Sequence, residues 1–184
     1  MAILTWVLIG LAALIILMLI YYFNKFVVLG TRVDNSLSQI DVQLKKRADL
    51  VPNLVEVVKG YVKHEKDAIN KVTEARKALL AAKDISSKVK AGDKLQGALK
   101  TIFALAENYP NLKANENFLQ LQTELAAIED KVAYSRQYYN DNIQSYNIST
   151  ETFPGMMFAR LFGKSRKEFI KITAKEAAVP KVEF

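Results

Sequence analysis

The chain falls into two hydrophobic regimes. Residues 3–23 carry no charged side chain and a single short polar interruption, Thr5, whereas every charged residue lies beyond position 23. At about 1.5 Å per residue the apolar run makes a rod of about 31 Å, close to the ~30 Å hydrocarbon core of a bilayer. It is apolar all round, unlike a soluble core helix with its polar face. Trp6 lies near one end, Tyr21 and Tyr22 near the other, and Lys25 closes the run, as amphipathic rings and flanking bases do at headgroup level. The pattern predicts a transmembrane helix over 1–23. A cleaved secretory signal fits less well: no basic side chain precedes Trp6, and the run exits through Tyr21-Tyr22-Phe23-Asn24-Lys25 rather than through small residues.

Beyond the span, apolar positions recur in alternate steps of three and four: Val33, Leu37, Ile40, Leu44, Val51, Leu54, Val58, Tyr61, Ala68, Val72, Ala75 and Leu79, with Arg47 and Glu65 as exceptions. Such a heptad seam keeps one stripe against a partner helix. A second stripe, Leu50, Val55, Val57, Val62 and Ile69, requires cover on another face, from a third helix or another subunit. Pro52 interrupts the hydrogen-bond ladder, but the apolar phase is the same on both sides of it, so we read a kinked continuous helix reaching residue 82. A break at Pro52 would instead give a compact four-helix bundle. Polar residues gather over 83–93 and predict the first turn. Leu95, Leu99, Ile102 and Ala106 make a short amphipathic helix stopped by Tyr109-Pro110-Asn111. Phe118, Leu121, Leu125, Ile128, Val132, Ser135, Tyr139, Asn142 and Tyr146 form a second long helix that ends near Phe153-Pro154-Gly155.

The fold class is therefore all-α: an N-terminal transmembrane helix (1–23) continues into an antiparallel up-and-down bundle of three to four long, coiled-coil-like helices (24–153). A basic amphipathic segment (154–184) follows. There Arg160, Lys164, Arg166, Lys167, Lys171, Lys175 and Lys181 interleave with Met156, Met157, Phe158, Leu161, Phe162, Phe169 and Ile170. Met156, Phe158, Arg160, Phe162, Lys164, Arg166 and Lys167 are the candidate contacts with a membrane surface. The alternatives are a solvated tail or a segment packed on neighbouring subunits.

Charge sharpens this picture. The net charge of +7 belongs wholly to the part beyond the span, and a basic domain suits anionic lipid or nucleic acid. No nucleic-acid reading motif is present, so the expected partner is the lipid bilayer, with no nucleic acid. Absence of cysteine removes disulfides, thiolate chemistry and lipoprotein acylation. The single histidine, His64, lacks the second histidine of a helical zinc-protease motif, and neither a glycine-rich phosphate loop nor a nucleophile elbow occurs. We expect no catalytic residue, no metal and no cofactor. Asn147-Ile148-Ser149 matches the glycosylation pattern, a motif short enough to arise by chance. Arg47, in the seam, reads as paired with a carboxylate or amide of the 118–146 helix, with Ser135 and Asn142 as polar neighbours; snorkelling to water is the alternative.

Gln39-Ile40-Asp41-Val42-Gln43-Leu44-Lys45-Lys46-Arg47-Ala48-Asp49-Leu50-Val51-Pro52-Asn53-Leu54-Val55 resembles the signature of the LemA family. Glu107-Asn108-Tyr109-Pro110-Asn111-Leu112-Lys113, residues 124–129 and 136–140, Asn147 and Phe153-Pro154 follow in that family's order. By this resemblance Arg47, Asp49, Pro52, Asn53, Tyr109, Pro110, Arg136, Asn140, Asn147 and Pro154 are motif positions. It implies a bacterial single-pass membrane protein with a helical bundle and no established enzymatic role. Relatives are associated with membrane organisation, and the family occurs beside membrane-protease genes. The expected function is a membrane-anchored, self-associating scaffold; the alternative is a regulatory adaptor of a membrane protease or envelope-sensing pathway. Lys25, Arg32, Lys45, Lys46 and Arg47 follow the span and no base precedes it, so the domain is expected in the cytoplasm with the N-terminus outside.

Overall fold

The computed structural model describes residues 1–62 and 65–170, so the expectations for His64 and for Lys171, Lys175 and Lys181 lie outside the described residues. Among the described residues there are six helices and no strand: α1 (Ala2–Tyr61), α2 (Lys66–Ala81), α3 (Ile85–Ala106), α4 (Pro110–Lys113), α5 (Glu116–Glu151) and α6 (Gly155–Leu161). The chain divides into two compact units, Leu37–Gln137 and Met1–Ser36 with Tyr138–Phe184; α1 and α5 contribute to both.

In the unit Leu37–Gln137, α1, α2, α3 and α5 make an up-down-up-down four-helix bundle. Lys88 of α3 bonds Asp41 of α1, Arg76 of α2 bonds Ala48 of α1, and Asn115, at the start of α5, bonds Tyr61 at the end of α1. The seam positions Ile40, Leu44, Arg47, Val51, Leu54 and Val58 are all buried. They meet a core that includes Val72, Leu79, Leu95, Leu99, Ile102, Phe118, Leu121 and Leu125.

The continuous rod to residue 82 does not form. Helix α1 passes through Pro52 and ends at Tyr61, and α2 starts at Lys66. Pro52 cannot donate to the Ala48 carbonyl four residues back, and an orphaned carbonyl normally weakens a helix at such a point. Here Arg76 Nε donates to that oxygen at 2.8 Å, so α2 satisfies the group that proline abandons. The chain reverses instead between the end of α1 at Tyr61 and the start of α2 at Lys66. Periodicity could not show it, because α1 and α2 direct the same stripe into the same core. The second stripe is covered in part by the chain's own helices: Val62 and Ile69 are buried, whereas Leu50, Val55 and Val57 are half-buried, Val55 on a groove with Thr73 and Arg76 of α2 and Leu50 and Val57 on one with Gln120 and Leu121 of α5.

The predicted turn over 83–93 is also shorter than expected. Asp84 caps α3 by accepting from Ser87 N at 2.9 Å, a strong helix start. Residues 85–94 are helical, and their polar side chains form the solvent face around buried Val89, Ala91 and Gly92. Tyr109 then leaves the helical region and Pro110 opens α4 at its first position, as proline geometry favours. Asn115 Oδ1 caps α5 by accepting from Phe118 N.

In the second unit, residues 1–18 of α1 are exposed throughout. By length and composition α1 is long and apolar enough to cross a membrane, with a mean hydropathy of 2.9 in its most apolar window. From Phe26 onward it buries Phe26, Leu29, Val33 and Ser36, while α5 buries Tyr139, Asn142, Ile143, Tyr146 and Asn147. The two run antiparallel, since Asp34 lies near Tyr139 while Tyr22 stacks on Phe158 just beyond α5. Residues 154–170 hold one short helix and an irregular stretch. Helix α6 lasts seven residues, and Gly163, at φ 62°, turns the chain into an irregular strap over 164–170.

Candidate membrane-surface site and buried ion pairs

A charged cluster lies inside the four-helix bundle. Arg47 is 1% exposed; its Nη2 donates to Glu129 Oε2 of α5 and its Nη1 to the Gly92 carbonyl of α3 at 3.5 Å. Seven residues after Glu129, Arg136 is also buried, and its Nη2 donates to Asp93 Oδ1 at 2.6 Å. Burial lowers the Arg47 pKa, Glu129 opposes that shift, and Arg136 adds to it. A guanidinium nevertheless stays charged, so the cluster is two cations held by two carboxylates. Asn142, a candidate neighbour of Arg47, instead donates to Tyr138 O of its own helix. Gly92 matters to this geometry, since a Cβ there would come within 2.8 Å of a Leu44 methyl. Among the described residues no group of His, Cys, Asp and Glu converges as a metal site would require.

Other motif positions of this unit lie outside the cluster. Asp49, Pro52 and Asn53 are exposed, with Asn53 on a shallow groove beside Asn117 and Glu124 of α5. Tyr109 is half-buried and Pro110 exposed, and both serve the α3–α4 turn.

The second site lies where the exposed apolar stretch of α1 ends. Tyr22 stacks on Phe158 with ring centroids 4.8 Å apart, and Phe162 meets Phe23 at 5.5 Å and Phe26 at 6.4 Å. Lys25 Nζ lies 5.9 and 5.7 Å from the Tyr21 and Tyr22 ring centroids, within cation–π range. Gly155 allows this approach: a Cβ would strike the Ser149 carbonyl and come within 3.2 Å of the Tyr22 ring. Pro154 is half-buried beside it. Phe158 and Phe162 thus face their own α1, and Met156 is half-buried. The apolar side chains left outward are Phe153, Met157 and Leu161, spaced by four, with Arg160, Lys164 and Arg166 exposed around them.

Asn140 and Asn147 hold the strap. Each carboxamide bonds both the N–H and the carbonyl of one residue, Asn147 with Lys167 and Asn140 with Ile170. Lys167 Nζ lies 5.3 Å from the Tyr146 ring centroid. Burial raises the phenol pKa of Tyr139, with Asp34 adding to it, and burial raises that of Tyr146.

Residues 36–184 match the model of the LemA family. The chain belongs to the LemA family. A protein LemA of Metamycoplasma hominis is 28% identical over 128 residues, covering 66% of this chain and 56% of that protein. A magnetosome protein MamQ of Magnetospirillum gryphiswaldense is 24% identical over 177 residues, covering 82% of this chain and 65% of that protein. A magnetosome protein MamQ 2 of Paramagnetospirillum magneticum is 24% identical over 179 residues, covering 83% and 66%. The chain thus spans between half and two thirds of the length of these curated LemA-family relatives.

Proposed function

We propose that this protein is a membrane-anchored, non-enzymatic helical scaffold that self-associates and organises membrane or membrane proteins. The observation that carries the reading is the aromatic collar of Tyr21, Tyr22, Phe23, Phe158 and Phe162 at the exit of an apolar stretch whose residues 2–18 are exposed. Outward Phe153, Met157 and Leu161 and the bases around them complete a surface suited to the headgroup layer. The kinship with magnetosome proteins accords with work at a membrane. In the bundle, the buried cations are bound to carboxylates, so they act in packing and register rather than as acids or bases.

A regulatory adaptor is the second reading, favoured by Val62 and Ile69 of the second apolar stripe being buried within the chain itself. Sizing of the full chain in mild detergent separates the two. The scaffold gives large homo-oligomers from the purified protein alone. A monomer or dimer that gains mass only with a partner from the cell rejects self-association and leaves the adaptor.

A further inference from the structure

Asn140 and Asn147 stand one heptad apart, about 10.5 Å along α5. Asn147 Oδ1 accepts from Lys167 N at 2.8 Å and its Nδ2 donates to Lys167 O at 2.9 Å; Asn140 does the same for Ile170, at 3.0 Å in both bonds. Three residues of extended chain advance about 10 Å, so a heptad and an extended backbone are in register, running antiparallel to α5. A carboxamide offers one donor face and one acceptor face, and here each reproduces the paired bonds by which two strands join. Such clamps read backbone rather than sequence. Side chains add selectivity at the two clamped residues, through the Lys167 ammonium over Tyr146 and the buried Ile170. Lys164, Ser165, Arg166, Glu168 and Phe169 are exposed. This face of α5 is therefore a receptor for an extended peptide with a base at the first clamp and an aliphatic residue three positions later.

We infer that the receptor also takes the same segment from a second copy of the chain, so that neighbouring copies exchange straps. This rests on the membrane-anchored scaffold reading above. The second copy's segment fits both clamps, the ring and the apolar seat by identity, so exchange preserves every bond and alters only which chain supplies it. The link permits it. The strap leaves α6 through Gly163 at φ 62°, where Lys164 N still donates to Ala159 O at 2.8 Å, and beyond that, before Lys167, an exposed Arg166–Glu151 pair at 3.4 Å ties it to α5. The four steps from Gly163 to Lys167 reach about 14 Å when extended, beyond the ~8–10 Å between packed helix axes. Copies anchored in one bilayer present α5 in the same sense at high local concentration, which favours the intermolecular arrangement.

Because the chain has no cysteine, introduced thiols report cleanly. Full-length Tyr146→Cys and Lys167→Cys populations are co-reconstituted in bilayers and treated with a short bismaleimide. Exchange gives a covalent dimer joining the two populations. Its yield falls at least fivefold when Asn140→Ala and Asn147→Ala are placed on the Tyr146→Cys copy. Asn147→Asp removes one donor while preserving shape, and gives a smaller loss with an unchanged helical spectrum. A chain carrying both thiols that cross-links internally, with no product between populations, overturns exchange and leaves a clasp within each copy. If those populations still size as an oligomer, the scaffold reading stands and exchange alone is lost; if they size as monomers, both fall.

Discussion

At the single residue, the sharpest asymmetry is between Arg47, 1% exposed, and Glu129, 32% exposed. Removing the carboxylate strands a buried cation beside Arg136, whereas removing the cation leaves a carboxylate that water can reach. Glu129→Ala is therefore expected to cost about 3–5 kcal/mol, and Arg47→Met, which fills the same space, less than about 2 kcal/mol. Denaturant titration of both variants checks the order; equal losses reject it. Asp84 provides the acid-side counterpart. Hydrogen bonds from Ser87 hold its carboxyl below the ordinary value of 3.8, so its capping contribution is full above that value and is lost as pH falls through the depressed one. Asp84→Asn retains an acceptor without the titration. The gap in thermal midpoint between parent and Asp84→Asn is expected to close below about pH 4, and a gap that is flat with pH removes the charge from the cap. The sequence showed Arg47 as a charge in an apolar seam, but not its partner. Glu129 stands one position beyond seam residue Ile128, where a carboxylate looks like any solvated one. Nor could it show that Arg76 meets the Ala48 carbonyl, because that contact joins residues 28 apart.

Among the elements, α3 carries its own control experiment. Gly92 and Gly97 are both interior helical glycines, yet a Cβ at Gly97 meets nothing within 4 Å while one at Gly92 presses on Leu44, a residue 2% exposed. Gly97→Ala is expected to raise stability by about 1 kcal/mol through helix propensity. Gly92→Ala gains the same term but overpacks the core by about 1–3 kcal/mol, so its melting temperature is expected to fall. A rise in both variants would mean that α3 and α1 are not closely packed at this level. Long periodic elements were legible: every named seam position of α5 from Phe118 to Tyr146 is buried. Boundaries were not, and for one reason in each case. The α1–α2 reversal preserves the heptad phase, and the start of α3 hides in Ser86, Ser87, Lys88 and Lys90, which read as a turn until Asp84 is recognised as a cap. Within 154–170, apolar content was legible, but its division into inward Phe158 and Phe162 and outward Met157 and Leu161 depends on where Tyr22, Phe23 and Phe26 lie.

For the molecule as a whole, the membrane-anchored reading predicts the side on which the helical part works. During insertion, orientation is set by bases near the span, and here Lys25 and Arg32 follow it while none precedes it. Folding then places a second group of bases. Stacking of Phe158 on Tyr22 brings Arg160, and with it Lys164, Arg166 and Lys167, into the unit that contains the exit of the apolar stretch. A base near an anionic leaflet contributes about 1 kcal/mol, so on the scaffold reading these residues would strengthen attachment at the cytoplasmic face, while the bases beside the span set the orientation. Intact cells treated with external protease are expected to leave the helical part undigested until the membrane is permeabilised. Moving bases to the other side of the span, as Ala2→Lys with Thr5→Lys, together with Lys25→Gln and Arg32→Gln, should expose a fraction of chains to digestion. Charge reversal at Arg160 and Lys164 alone should leave orientation unchanged, because those residues fold after the span has been inserted, and should weaken only the salt-sensitive association of α6 with anionic lipid. Digestion of the parent from outside would place the helical part on the opposite face. In that case the bases of α6 would meet a leaflet poorer in anionic lipid, and attachment through them would be correspondingly weaker.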